Sequence, residues 1–361
     1  MEKIIYVILT IVLLISCDKD ETLIEEFGSV CEHKTDIMSP TGYDIENIGE
    51  IDFNGSVQSF QFVNELTGYA MLGNNVGGYV EMFKTTNGGE TWIDLNIGID
   101  QHPRGMVFKD ENIGIVTVHD VTGCPPPNCL NKCVILRTED GGENWVELEV
   151  EDLKGILYHP KYDNDGNLYA FLTLDENAAL VKSTDDGQTW EELFSSQDLG
   201  FSLVTFSYEL FENTFYISGK DGKLLVVKSN GDLLKTIEIG STSIWDMEII
   251  DENNFIVALS GEVIKSSDGG ETWELINTES ARIIGFESAD KGLMLLNKSS
   301  CPTDVYQVND LIASTNNGGQ SWIEAEETTT NMRSNFQNSQ QMADGYWYIM
   351  IGNKLMEIKE E

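Results

Sequence analysis

Basic residues are scarce in this chain. Its 361 residues include 22 Lys plus Arg against 61 Asp plus Glu, a formal net charge of -39. Such a surface repels phosphates and anionic headgroups, which argues against a nucleic-acid partner and against electrostatic docking on a membrane. Arginine is rarest, at Arg104, Arg137, Arg282 and Arg333. The four histidines, His33, His102, His119 and His159, are scattered without metal-ligand spacing. No metalloprotease helix, nucleophile elbow or phosphate-cradling glycine loop in strand–helix context is present. One apolar run, residues 4–15, is long, yet too short for a comfortable membrane span. These absences remove the common enzyme signatures and leave a 41% apolar share, enough for a packed core at this length.

What the chain has in quantity is one repeated phrase. SSDGGETW (266–273) is echoed by TTNGGETW (85–92), TEDGGENW (138–145), STDDGQTW (183–190) and TNNGGQSW (315–322). Each follows a short apolar run that carries Lys84, Arg137, Lys182 or Lys265 in four of the five copies. An Asp or Asn opening a tight turn accepts backbone N–H bonds, and the glycines supply φ > 0. Trp then starts the returning strand and packs beneath the turn, keeping an N–H for a partner. The acids and tryptophans Asn87, Trp92, Asp140, Trp145, Asp185, Trp190, Asp268, Trp273, Asn317 and Trp322 are therefore expected to be structural staples of hairpins.

Successive octet tryptophans are 53, 45, 83 and 49 residues apart. The long interval holds a degenerate copy, LLVVKSNGDLLKTI (224–237), which keeps the Asn-Gly turn and has lost the Trp. Periods of this size, each with several short strands, predict an all-β chain, a single β-propeller of four-stranded blades. Six copies run through 58–95, 104–148, 155–193, 202–237, 244–276 and 282–325. A remnant at 332–358 lacks a fourth strand, which residues 46–53 supply by closing the ring. Seven blades are favoured, six being the alternative.

These octets resemble the Asp-box or BNR repeats of a propeller family that includes sialidases, xyloglucan-cleaving hydrolases, sortilin-type receptors and photosystem II assembly-factor-like propellers. The upstream segments FVNELTGYAML (62–72), FKDENIGIVTV (108–118) and FESADKGLMLL (286–296) are most similar to the last subgroup. The resemblance covers roughly residues 50 to 325 and implies the fold, with the octets in the C–D turns. It implies little about function.

The N-terminus, MEKIIYVILTIVLLISC, has the layout of a secretory signal, and Leu14-Ile15-Ser16-Cys17 resembles a bacterial lipobox. Cleavage before Cys17 and lipidation of Cys17 are expected, giving a signal peptide at 1–17, a tether at 18–39 and the propeller at 40–361. Asp18-Lys19-Asp20-Glu21 is similar to an export signal that places lipoproteins at the cell surface, on the outer membrane. Export makes disulfides expected among Cys31, Cys124, Cys129, Cys133 and Cys301, with one local bridge within 124–133 and a Cys31–Cys301 bridge as a second option. No metal or cofactor is expected: zinc at the cysteine insertion lacks a spaced histidine, and Asp163-Asn-Asp165-Gly-Asn167 reads as a turn, since no Glu closes a calcium loop.

A ligand site is sought on the face bearing the D–A and B–C loops. Counting back four from the repeat's Phe aligns Gln58, Arg104 and Arg282, with Arg333 one residue out of step. Guanidiniums from three blades near one axial mouth would suit a carboxylate or phosphate. The opposing reading pairs them with neighbours such as Glu279, Glu287 or Asp246. The sequence thus points to a non-catalytic envelope lipoprotein that binds a protein or glycan partner, with the membrane reached by the lipid anchor only. A sialidase-like glycoside hydrolase is the alternative, against which the family's Arg-Ile-Pro signature is missing and no Tyr–Glu nucleophile pair can be assigned.

Overall fold

The computed structural model describes residues 40, 42–53, 56–73, 80–97, 102–120, 132–150, 153–174, 177–195, 208–219, 222–240, 242–298, 309–325, 339–343, 345–351 and 353–361. The first strand, β1 (Tyr43–Glu50), belongs to the last blade. Blade one is β2 (Ser56–Phe62), β3 (Gly68–Gly73), β4 (Val80–Thr85) and β5 (Ile93–Asp94). Blade two is β6 (His102–Phe108), β7 (Gly114–Asp120), β8 (Lys132–Thr138) and β9 (Val146–Leu148). Blade three is β10 (Ile156–Tyr162), β11 (Leu168–Leu174), β12 (Asn177–Ser183) and β13 (Glu191–Ser195). Blade four is β14 (Tyr208–Phe211), β15 (Thr214–Ser218), β16 (Lys223–Lys228) and β17 (Leu233–Glu238). Blade five is β18 (Ile244–Ile249), β19 (Phe255–Leu259), β20 (Glu262–Ser266) and β21 (Glu274–Asn277). Blade six is β22 (Ser280–Phe286), β23 (Gly292–Lys298), β24 (Asn309–Thr315) and β25 (Ile323–Glu324). Blade seven is β26 (Ser339–Gln341), β27 (Trp347–Ile351), β28 (Lys354–Glu360) and, outermost, β1.

Each blade is an antiparallel four-stranded sheet, and the chain is a seven-bladed β-propeller. The ring closes where β1 pairs with β28 from Tyr43↔Glu360 to Glu50↔Lys354. The closing strand lies at 43–50, three residues earlier than the 46–53 read from the sequence. Between blades lie seven apolar seams, each shared by two neighbours. The second strand of a blade is covered on both faces, so β3 and β19 are buried throughout and read as unbroken apolar runs. The outer strand β17 is exposed at five of six positions.

The octets form as their residue types require. In blade two, the buried Thr138 Oγ1 donates to Asp140 Oδ1 at 2.9 Å and accepts Gly142 N–H at 2.9 Å, while Asp140 Oδ1 accepts Asn144 N–H at 2.8 Å. Thr85, Ser183, Ser266 and Thr315 repeat this hub. Gly141 and Gly142 take φ of 69° and 92°, a region barred to most side chains. In blade three Asp186 occupies the first of these positions at φ 53°. Its carboxylate accepts from Lys109 Nζ at 2.9 Å and from the Tyr162 hydroxyl at 3.1 Å, with Arg137 3.8 Å away.

The basic residues before the octets of blades one, two and five reach the next blade, Arg137 approaching Asp186. Lys84 Nζ donates to Gly141 O at 3.0 Å, and Lys265 Nζ donates to Ala289 O. The Phe-to-Gly spacing of the upstream segments also has a cause. Phe62, Phe108 and Phe286 pair with Gly68, Gly114 and Gly292, and each ring lies where a Cβ on that glycine would be. The octet tryptophan then meets the ring edge-on, as in Phe108–Trp145 at 6.2 Å and 85°.

Two expectations need correction. Trp190 Nε1 donates to Gly187 O and Trp322 Nε1 to Ile276 O, but the indole N–H groups of Trp92, Trp145 and Trp273 have no acceptor among the described residues. Ring packing against the repeat's Phe is shared by Trp92, Trp145 and Trp322, while Trp273 packs on Phe255. Cys133 carries a free thiol, so it is not one end of a bridge. It sits in the apolar seam between blades two and three, where burial pushes its pKa up to about 11. Cys17, Cys31, Cys124, Cys129 and Cys301 lie outside the described residues, as do the signal and tether. Asp163, the calcium-like position, instead closes a turn by accepting Asp165 N–H, Asn167 N–H and the Tyr169 hydroxyl.

Candidate functional site

The inner strands surround an axial cavity of about 550 Å³. Its polar wall carries Lys161, Glu209, Asp246, Glu248 and Arg282, with Gln61 and Gln340 completing the circuit. Most of these groups tie blade to blade. Gln61 Nε2 donates to Phe108 O at 2.9 Å and Gln61 Oε1 accepts Phe108 N–H at 2.7 Å. Gln340 holds Phe62 in the same way. Asp246 Oδ2 accepts Ile283 N–H at 2.9 Å, and Lys161 Nζ donates to Tyr208 O at 3.0 Å and Glu209 Oε2 at 3.1 Å. At the matching position of blade six stands Gly285, because the Trp347 ring fills the space: a Cβ there would lie 1.7 Å from the indole.

Burial raises both acids of blade five. Asp246 is pushed up to about 6, with the Arg282 charge opposing the shift, and Glu248 to about 8, where Glu209 and Asp246 add to it. Burial lowers His159 to about 4, helped by the Lys161 charge. His159 also takes φ 50° immediately before Pro160, in a strand that loses register between Tyr158 and Lys161. Gly105 of the neighbouring blade makes room for this turn, since a Cβ there would lie 2.2 Å from Pro160 Cδ.

The mouth on the D–A side is built by inner-strand bulges. In β2, β6 and β18 the unpaired residue is Gln58, Arg104 and Trp245 respectively. A bulge re-aims one side chain while the flanking ladder stays intact. Gln58 and Arg104 therefore do occupy equivalent sites, as counting from the Phe suggests. Arg282 does not: it pairs with Leu295, and the bulge of β22 falls between Ile283 and Gly285. The residue of blade five at the matching site is Trp245.

Arg104 and Arg282 are each stacked on an aromatic of an adjacent blade. Arg104 lies over Tyr158 at 5.4 Å and contacts His119 Nδ1 at 3.2 Å, while its Nε finds no acceptor among the described residues. Arg282 lies over Trp245 at 5.6 Å and donates to Trp245 O at 2.9 Å, with Asp246 beneath. Arg282 lines the cavity, and Arg104 belongs to the blade two–three seam rather than the cavity wall. Arg333 lies outside the described residues. Trp245 remains 43% exposed, the one tryptophan among the large exposed apolar side chains. Sequence reasoning passed over it, although it stands outside the octets and four residues before the last residue of β18.

No family model matches the chain, and no curated protein matches it in sequence. In fold it is similar to YCF48 with a bound D1 peptide, at a TM-score of 0.64 and 13% identity over 91% of this chain and 98% of that one. YCF48 from Cyanidioschyzon merolae follows at 0.61 and 13%, covering 87% and 98%. A streptogramin B lyase gives 0.58 at 8%, covering 88% and 98%. At such identities the likeness shows the fold alone. The class is that of the β-propellers, which includes binders and enzymes.

Proposed function

We propose that this chain is a non-catalytic binding or assembly module whose working surface is the axial mouth on the D–A and B–C side. The observation that carries this reading is Trp245, exposed beside the cavity with the Arg282 guanidinium stacked on it. Trp and Arg around a concave centre are the residue types that concentrate interface energy. The hub hydrogen bonds support placing the chain among the Asp-box propellers, and the peptide held by YCF48, a structure of the same fold, favours a protein partner over a glycan. The lipobox-like segment supports a signal at 1–17, a lipid on Cys17, a tether at 18–39 and the propeller at 40–361, displayed on the outer membrane.

The hydrolase alternative finds less support in the cavity. Its two acids with raised pKa values, Asp246 and Glu248, accept backbone N–H groups of blade six and so serve the ring. The test is crosslinking in cells followed by mild detergent extraction, comparing the native chain with Trp245→Ala and Arg282→Ala. The proposal expects a discrete partner that both variants lose while both remain folded propellers by circular dichroism. Identical partners from native and variant chains would overturn the mouth as the site, and turnover of an acidic glycan would revive the hydrolase.

A further inference from the structure

The ring's inner girdle carries an acid in blade five where blades one and seven carry an amide. At the residue before the last one of the inner strand, Gln61 and Gln340 each make a two-point clasp on the following blade. They accept one backbone N–H, at 2.7 Å in both cases, and return an amide N–H to the carbonyl of that same residue. Blade five has Glu248 at this position, and its Oε1 accepts Phe286 N–H at 3.1 Å. A carboxylate there has no proton to return.

We infer that Glu248 is carried as the neutral acid and completes the clasp with its own hydroxyl on the Phe286 carbonyl, making the blade five–six seam a latch that opens on deprotonation. The surroundings agree from every side. Strand β14 presents Glu209, and β18 itself presents Asp246 two residues earlier, both repelling a second negative charge. Strand β19 is Phe-Ile-Val-Ala-Leu and offers no charge. Strand β22 presents Arg282, which lies with Asp246 and Trp245, and the Lys161 of blade three is bonded to Glu209. Burial and these acids push Glu248 up to about 8. Ionised, it would set a carboxylate oxygen against a carbonyl oxygen.

A folded-state value above the ordinary carboxylate range means that the contribution is fully present at low pH and is lost as pH rises toward about 8. Asp246 loses its own contribution by about 6, and His159 is neutral in the folded and unfolded chain above its ordinary 6.5, so the interval from about 7 to about 8 reports Glu248.

The experiment measures the unfolding equilibrium of the propeller across that interval for the native chain and Glu248→Gln. The native constant is expected to rise by up to about tenfold per pH unit, whereas the Gln variant, with a permanent second donor, holds nearly flat. Difference infrared spectra provide an independent readout. A protonated-carboxyl C=O band at neutral pH, missing in Glu248→Gln, is expected. Equal slopes in the two proteins, no such band, or a Gln variant that fails to fold at any pH would each overturn the inference.

Discussion

Replacing Thr138 with Val removes one hydroxyl and keeps the shape. The side chain is 1% exposed, and its Oγ1 accepts the buried Gly142 N–H at 2.9 Å and Asp140 N–H at 3.3 Å while donating to Asp140 Oδ1 at 2.9 Å. Valine satisfies none of these. The dominant effect is the orphaned Gly142 N–H, for which water has no approach, and an unsatisfied buried donor costs about 1–3 kcal/mol. Blade two supplies its own control in Thr117, equally buried but with only a long 3.4 Å bond to Gly105 O, so Thr117→Val leaves no donor stranded. Urea unfolding monitored by tryptophan fluorescence measures both, and a shifted midpoint at constant slope is the signature of lost stability. Thr138→Val is expected to lower the midpoint clearly and Thr117→Val slightly. If the two variants fall together, the hydroxyl is not the hub of the turn.

Other substitutions probe the seams. Gly285→Ala puts a methyl group 1.7 Å from the Trp347 ring and should cost about 1–3 kcal/mol in urea unfolding. Combining it with Trp347→Phe, which shortens the ring, should cost less than the two single changes added. Asp186→Ala keeps the φ of 53° unfavourable and loses the Lys109 and Tyr162 bonds, so it should unfold more easily than Asp186→Gly, by about 1 kcal/mol. Equal midpoints would show that the left-handed backbone there carries no strain. Cys133, buried and held up to about 11, should resist alkylation in the folded chain at neutral pH and react once urea unfolds it.

The blades were legible because their signals are local. A turn that needs Ser or Thr, an acid and two left-handed residues announces itself in eight letters, and the Phe that needs a glycine opposite does so in seven. Blade four lost its octet but kept an Asn-Gly turn, and blade seven was found through its missing strand, since an unclosed ring would expose a long edge. The mouth was less legible because its geometry depends on where the inner strands bulge. Counting from the repeat's Phe matched the bulge residue Arg104 to Gln58 but did not find the bulge of blade six, which shifts by two residues past Arg282. Trp245 and Glu248 were missed for a different reason: single residues on short strands gain meaning only against the equivalent residues of neighbouring blades, such as Gln61 and Gln340. The tripartite arginine idea overlooked that a guanidinium on an inner strand has an aromatic of the adjacent blade within reach.

A propeller that works through its D–A side must meet its partner there. A photo-crosslinking amino acid placed at Trp245, and separately at Leu66 in an A–B turn on the opposite face, tests this in cells that produce the whole chain. Leu66 is the more exposed of the two, at 60% against 43%, so simple accessibility favours the wrong answer. A discrete adduct from the Trp245 site and none from the Leu66 site is the predicted result. Adducts from the Leu66 site alone, or the same adducts from both, would contradict it.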